Sequence, residues 1–359
     1  MQLGPTRLGD SPDQPSGGDS LVCGGGSGQF ACMAMDEEGA NSRRCQDRRG
    51  TYEAWFVTVN DPASRRGFWV RYTTFSPPGG GTQTEAHSAL WAFVFDHDEP
   101  HHNWGGKQTF PLEALRSDSR PFHLRLGDAI MDAGGCSGEL RSNHGSASWR
   151  LLWESREPPF PFLDPRFQGV SSVVNIGARP AIAVTGTIEV AGRTYQLDSA
   201  PGGQQHTWGT SHALEWNWGF ASGADFWLDG ATSRVRSRFG SILTGTALGA
   251  GAGSESFKSN GLLQVLRNRS PITPDAWVAS ARLGERRLEV SIKPRRQDLV
   301  GVTYADPQGG VRYCCHTEVA DLALKLSRRG HTVVDINRPA AAAFEYASET
   351  PLAGVPLVV

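Results

Sequence analysis

Short runs of aromatic and β-branched residues, each closed by Gly, Pro, Asn or Asp, repeat from Tyr52 to the end of the chain. This rhythm restricts the fold more than any other feature. Tyr52–Val59 stops at Asn60-Asp61-Pro62, Gly67–Phe75 stops at a Pro-Pro-Gly turn, and Ser88–Phe95 breaks at Asp96–Pro100. Residues 147–153 carry apolar side chains at 147, 149, 151 and 153, the period-2 pattern of a strand with one buried face. Residues 181–190 and 193–197 read as a hairpin turning at Ala191-Gly192. Further strands are expected at 213–220, 224–228, 234–243, 261–267, 277–283, 286–292, 301–304, 311–326 and 342–346, although 318–326 fits a helix as well. Strands spaced about 8–12 residues apart, with no β-α alternation, predict an all-β antiparallel barrel or sandwich rather than a nucleotide-binding α/β fold. The glycine run 248–253 lacks the Lys-Ser/Thr of a phosphate loop and is expected to be a hairpin loop.

At 359 residues the chain has room for two domains. Its 35 basic and 37 acidic side chains leave a formal charge of −2, which offers no electrostatic footprint for nucleic acid. Only four of the basic residues are lysines (107, 258, 293 and 325), read here as genome bias. No uninterrupted apolar run reaches 18 residues, so no integral membrane segment is expected. The six cysteines, at 23, 32, 45, 136, 314 and 315, contain no CxxC pair, which argues against a structural zinc site. They fit a reducing, cytoplasmic location, and the N-terminus lacks the pattern of a secretory signal. Adjacent Cys314 and Cys315 should face opposite sides of a strand, one buried and one exposed. Residues 1–50, rich in Gly, Ser, Asp and Pro, are expected to be a disordered tail.

Chemistry concentrates in Gln205-His206-Thr207-Trp208-Gly209 and Trp216-Asn217-Trp218-Gly219. In extended chain His206 and Trp208 share a face, as do Trp216 and Trp218, so an imidazole and up to three indoles can gather in one cavity. Indole faces stabilise cations, and a histidine exchanges protons near neutrality. Core packing of the same residues is the competing reading.

His-x-Trp-Gly followed by Trp-x-Trp-Gly resembles the carotenoid 1,2-hydratase/hydroxyneurosporene synthase-like (AttH-like) group. Tyr52-Glu53-Ala54-Trp55-Phe56, Trp91–Asp96, Lys107–Leu112 and Phe344-Glu345-Tyr346 also fit it. The resemblance implies two consecutive lipocalin-like barrels, expected at 51–205 and 206–359, with a hydrophobic substrate near their junction. It implies kinship of fold with fungal Diels–Alderases and tocopherol cyclase. The group often places Asp before the histidine, where this chain has Gln205, and a downstream aspartate is expected to protonate the substrate. Asp225, beside Trp227, is the candidate, whereas Asp229-Gly230 reads as a hairpin turn.

Asp96–Trp104 brings three histidines and three acids together. It is expected to be a polar loop without a metal, from which His101 and Trp104 reach a cavity rim. The expected function is therefore a cyclase, hydratase or pericyclase without an external cofactor, acting on a polyene or terpenoid. His206 and Asp225 would act chemically, and Trp208, Trp216, Trp218, Trp227, Trp104 and His101 would bind substrate. A carrier that binds a lipid or isoprenoid without reacting is the alternative.

Overall fold

The computed structural model describes residues 36–359, apart from 47, 80–84, 238 and 269. The expectation of disorder for residues 1–35, including Cys23 and Cys32, lies outside the described residues. Residues 36–50 depart from it. Asp36 accepts the Gly39 N–H (2.7 Å) and caps the short helix Glu37–Asn41, whose Ala40 and Asn41 are fully buried.

Everything beyond is essentially antiparallel sheet. The first sheet runs in the order Trp104–Pro111, His87–Asp96, Arg66–Ser76, Thr51–Asp61, Arg193–Gly209, Val173–Val190, Gly145–Ser155, Gly135–Ser142, Ala129–Asp132, Phe122–Leu126 and Leu115–Ser119. It curls until the edge strand Trp104–Pro111 reaches Gly135–Ser142, where the Arg141 N–H donates to Gln108 Oε1 at 2.8 Å. The second sheet runs Glu255–Ser259, Ile242–Ala252, Phe226–Arg236, Glu215–Ser222, His331–Ser348, Val311–Arg328, Arg286–Lys293 and Trp277–Leu283. Arg286 of that sheet reaches back to the Ser256 carbonyl at 2.6 Å. The expected boundary at 205/206 falls inside the strand Arg193–Gly209; the changeover between sheets lies at 210–214.

Both interiors are filled with side chains. In Gly145–Ser155 the residues at 147, 149, 151 and 153 are buried and their neighbours are not, as the alternation required. The hairpin at Ala191-Gly192 forms with positive φ at both positions (49° and 79°), the geometry that matches strand twist. Residues 318–326 are strand, and 262–267 form a helix where a strand was expected.

The glycine run is not a loop: residues 248–252 continue the strand Ile242–Ala252. Glycine is required there because the Phe160 ring lies flat on the backbone, with three ring carbons 2.6–2.7 Å from where a Gly249 Cβ would stand. Gly249→Ala is therefore expected to cost about 1–3 kcal/mol through overpacking, read as a lowered urea midpoint at unchanged slope. Cys314 and Cys315 are both buried, correcting the expectation of one exposed thiol. Cys315 packs into the second sheet's interior and Cys314 into the layer between the two sheets, so neither face of that strand meets water. The four described cysteines are free thiols. Among the described residues, no helix is long and apolar enough to cross a membrane.

Candidate functional site between the two sheets

The outer face of the first sheet packs against the second, and a cavity of about 80 Å³ remains between them. Tyr52, Phe56, Arg71 and Gln205 line it from the first sheet; Trp216, Trp218, Tyr304 and Glu345 line it from the second. Strand register explains the first set. Gly177, Gln205, Phe56, Arg71, Trp91 and Lys107 sit directly opposite one another on successive strands, so their side chains form one row on the outer face. In the second sheet Trp218, Glu345 and His316 form an equivalent row.

Asp229 stands against this wall. It is fully buried in the strand Phe226–Arg236, and its Oδ2 would lie 2.4 Å from a Gly177 Cβ, so glycine is what lets the carboxyl approach. Gln205 Nε2 donates to Oδ2 (2.8 Å) and Trp218 Nε1 donates to Oδ1 (3.2 Å). Burial pushes the carboxyl up to about 7, held there by the opposing pull of the Gln205, Trp218 and Gly230 donors. The turn expected at Asp229-Gly230 does not exist. The turn lies instead at 223–225, which leaves Asp225 exposed and away from the cavity, contrary to its expected role.

Beside the cavity His316 is fully buried, Nδ1 3.1 Å from Glu345 Oε1 and Nε2 2.9 Å from Glu318 Oε1. Burial alone would lower its pKa, but the bonds and charges of the two carboxylates outweigh burial and lift it to about 9. The imidazolium lies stacked between Trp69 (4.3 Å) and Trp218 (6.3 Å), whose faces favour a cation. Glu345, although buried, is held below the usual carboxylate range by His316, by the Trp216 Nε1 donor (2.9 Å) and by the charge of Arg71. His212, tilted against Tyr52 at 3.9 Å, is pushed down to about 3 by burial and by the charges of Arg71 and Arg312, so it is neutral.

The structure separates residues that sequence grouped together. Trp216 and Trp218 share a face and both line the cavity. His206 borders it, but its ring points to the opposite face, because Gln205 and Thr207 take the cavity side of the pleat. The ring stacks on Trp55 (4.8 Å) and lies tilted against Trp208 (4.7 Å). Its Nδ1 donates to the Ala40 carbonyl (2.7 Å) and its Nε2 bonds Glu53 Oε1 (2.9 Å). Glu53 also accepts the backbone N–H groups of Arg44 (2.6 Å) and Cys45 (3.0 Å). This cluster clamps residues 37–45 onto the first sheet. His206→Ala should release the clamp, leaving Glu53 buried with one partner fewer at a cost of about 3–5 kcal/mol. Faster amide exchange at Arg44 and Cys45 is the readout.

Trp208 packs with Ala40, Val174 and Ile176, not in the cavity, and Trp227 packs against Phe160 at 5.6 Å. Trp104 lies at the seam of the first sheet, its Nε1 donating to the His144 carbonyl (2.8 Å), and His101 is exposed; neither lines the cavity. Barrel-rim loops here sit at the sheet ends, whereas the cavity opens on a sheet face. His101 and His102 do come together with Glu99, their ligand atoms within 4.8 Å of one another. His102 Nε2 already bonds Arg193 (2.6 Å) while Nδ1 lies 3.0 Å from Glu99, and the guanidinium opposes a second cation. His97 of the same segment is instead buried against Asp298 (3.3 Å). Sequence reasoning missed Arg71, Glu345, His316 and Glu318; for Arg71 and Glu345 the signal was a charged residue in a strand between apolar or aromatic neighbours.

No family model matches the chain. The uncharacterized protein Rv0493c of Mycobacterium tuberculosis H37Rv is 26% identical over 357 residues, covering 94% of this chain and 98% of that protein. Among solved structures, CghA aligns with a TM-score of 0.52 at 10% identity, covering 83% of this chain and 88% of CghA. The AttH-type protein NE1406 of Nitrosomonas europaea aligns with a TM-score of 0.47 at 15% identity, over 83% of this chain and 92% of its own. At such identities what is shared is architecture: the chain has the fold of CghA, two antiparallel sheets in succession.

Proposed function

We propose that the chain is an enzyme, an isomerase or a lyase needing no external cofactor, that holds a hydrophobic polyene or terpenoid in the junction cavity and exchanges a proton with it. The observation that supports this most is Asp229, a fully buried carboxyl that titrates at about 7 one hydrogen bond behind the cavity wall. A group poised near neutrality is the best compromise between being protonated and giving its proton away. Gln205 stands between it and the cavity, and a rotation of that side chain presents the carboxyl to a bound molecule. Trp216 and Trp218 offer indole faces, and Glu345 a fixed negative charge, to a cation developing in the cavity. In this reading Asp229 takes the role expected of Asp225. His206 acts as a positioning residue, holding the strand that carries Gln205.

The test is incubation with hydrophobic molecules that co-purify and with a panel of polyenes and terpenoids, followed by chromatography and mass spectrometry. A product of unchanged mass but new retention time marks an isomerase, and one differing by a water marks a hydratase. Ligands that bind yet return unchanged at every pH from about 5 to 8 would replace this reading with a carrier.

A further inference from the structure

Arg71 and Tyr304 also line a second cleft of about 170 Å³, together with Glu53, His87, Trp91 and Lys107 among others. We propose that this cleft binds an anionic head group, a carboxylate or a phosphate, on the molecule whose hydrocarbon part fills the junction cavity. The hydrocarbon part of the statement rests on the function proposed above; the anion site rests on its own residues.

Arg71 is 6% exposed, yet among the described residues no carboxylate lies within ion-pair distance of it, and its Nε has no hydrogen-bond partner. Aromatic rings hold it in place: its guanidinium carbon lies 4.6 Å from the ring centre of Tyr304, 5.3 Å from Trp69, 5.7 Å from Phe56 and 5.8 Å from Trp91. The Tyr304 hydroxyl stands in the same wall beside the Arg71 guanidinium. Lys107, two strands away in the same row, places Nζ 4.2 Å over Trp91, again with no carboxylate paired to it. The nearby acids are taken. Glu53 serves His206 and two backbone N–H groups, and Glu345 serves His316 and Trp216.

Two cations and a hydroxyl thus converge on one cleft, and the carboxylate in its wall, Glu53, is bonded to other partners. Burying a cation unpaired is expensive, and cation–π contacts worth about 0.5–2 kcal/mol each do not offset it. The strain shows at Lys107, which burial and the charge of Arg71 push down to about 8. An anion in the cleft that both side chains line neutralises both, and an arginine fork suits carboxylate and phosphate oxygens alike.

Calorimetric titration of the full chain at pH 7 and low salt with geraniol, geranic acid, geranyl diphosphate and inorganic diphosphate tests this. The expected result is that geranic acid or geranyl diphosphate binds at least about tenfold more tightly than geraniol, the better of the two telling carboxylate from phosphate. The preference should weaken with salt, fall about tenfold in Lys107→Met and survive in Lys107→Arg, which keeps the charge. Geraniol binding as tightly as both anions would overturn the head-group site while leaving the cavity reading intact. Inorganic diphosphate binding where geraniol does not would support the site and remove the hydrocarbon reading. No binding by any of the four would overturn both. With four lysines in the chain, the resonance of carbon-13-dimethylated Lys107 can be assigned by substitution, and its pKa should rise on anion binding.

Discussion

Asp229→Asn lowers turnover by about 10²–10⁴-fold, the usual contribution of a positioned general acid, while leaving ligand binding within a small factor. Asparagine matches the shape of the side chain but cannot give up a proton. In the wild-type protein the acid must be protonated to act, so turnover should decline as pH rises through about 7, and the variant's residual activity should lack that limb. A separate stability readout follows from the same carboxyl. Its folded value, about 7, lies above the unfolded 3.8, so the folded state retains a proton that the unfolded state has released between those values. Its contribution to stability therefore falls as pH rises from about 4 to 7, by roughly 4 kcal/mol, and is flat above. Urea midpoints of the wild type should follow this decline relative to Asp229→Asn. Full turnover in the variant, with the same pH profile, would remove Asp229 from the mechanism.

Glu318→Ala is expected to cost about 3–5 kcal/mol, the range for breaking a buried ion pair from one side. The carboxylate holds the His316 ring, accepts from Asn60 Nδ2 at 2.7 Å and bonds the Thr58 hydroxyl, so one truncation strips partners from both sheets. Glu318 also packs directly on Gly67, whose missing side chain lets the two sheets close; a Cβ there would stand 2.2 Å from Glu318 Cβ. The pH signature differs from that of Asp229. His316 has a folded value of about 9 against 6.5 unfolded, so its contribution is fully present below 6.5 and is lost as pH rises through about 9. The wild type should thus lose stability between about pH 7 and 9, and the Glu318→Ala protein, with His316 less strongly paired, should lose less. Equal losses in the two proteins would show that His316 is not held as an imidazolium.

Much of the fold is legible in the sequence because sheet formation is announced locally. Alternation at 147–153 and the Ala191-Gly192 turn each state their geometry within a few residues, and the structure repeats them. Where local pattern misled, burial on both faces was the cause. Cys314-Cys315 and the glycine strand 248–252 lie between two packed layers, so neither alternation nor glycine content meant there what it means at a surface.

The site divides in the same way. That Trp216 and Trp218 share a face, and that His206 and Trp208 share another, follows from the two-residue period of any strand, and the chain alone determined it. Which face meets the cavity did not follow. Gln205 faces the cavity and His206 the clamp because Arg193–Gly209 pairs with Thr51–Asp61 in one register, and Asp229 joins them only because a strand of the other sheet crosses at Gly177. Glu318 takes its partners Thr58 and Asn60 from more than 250 positions away, and only that packing brings them together. A one-dimensional pattern encodes the direction of each side chain relative to its neighbours. The low-dielectric contact between distant strands, which moves Asp229 toward neutrality and leaves Arg71 unpaired, exists only once the two sheets have closed on each other.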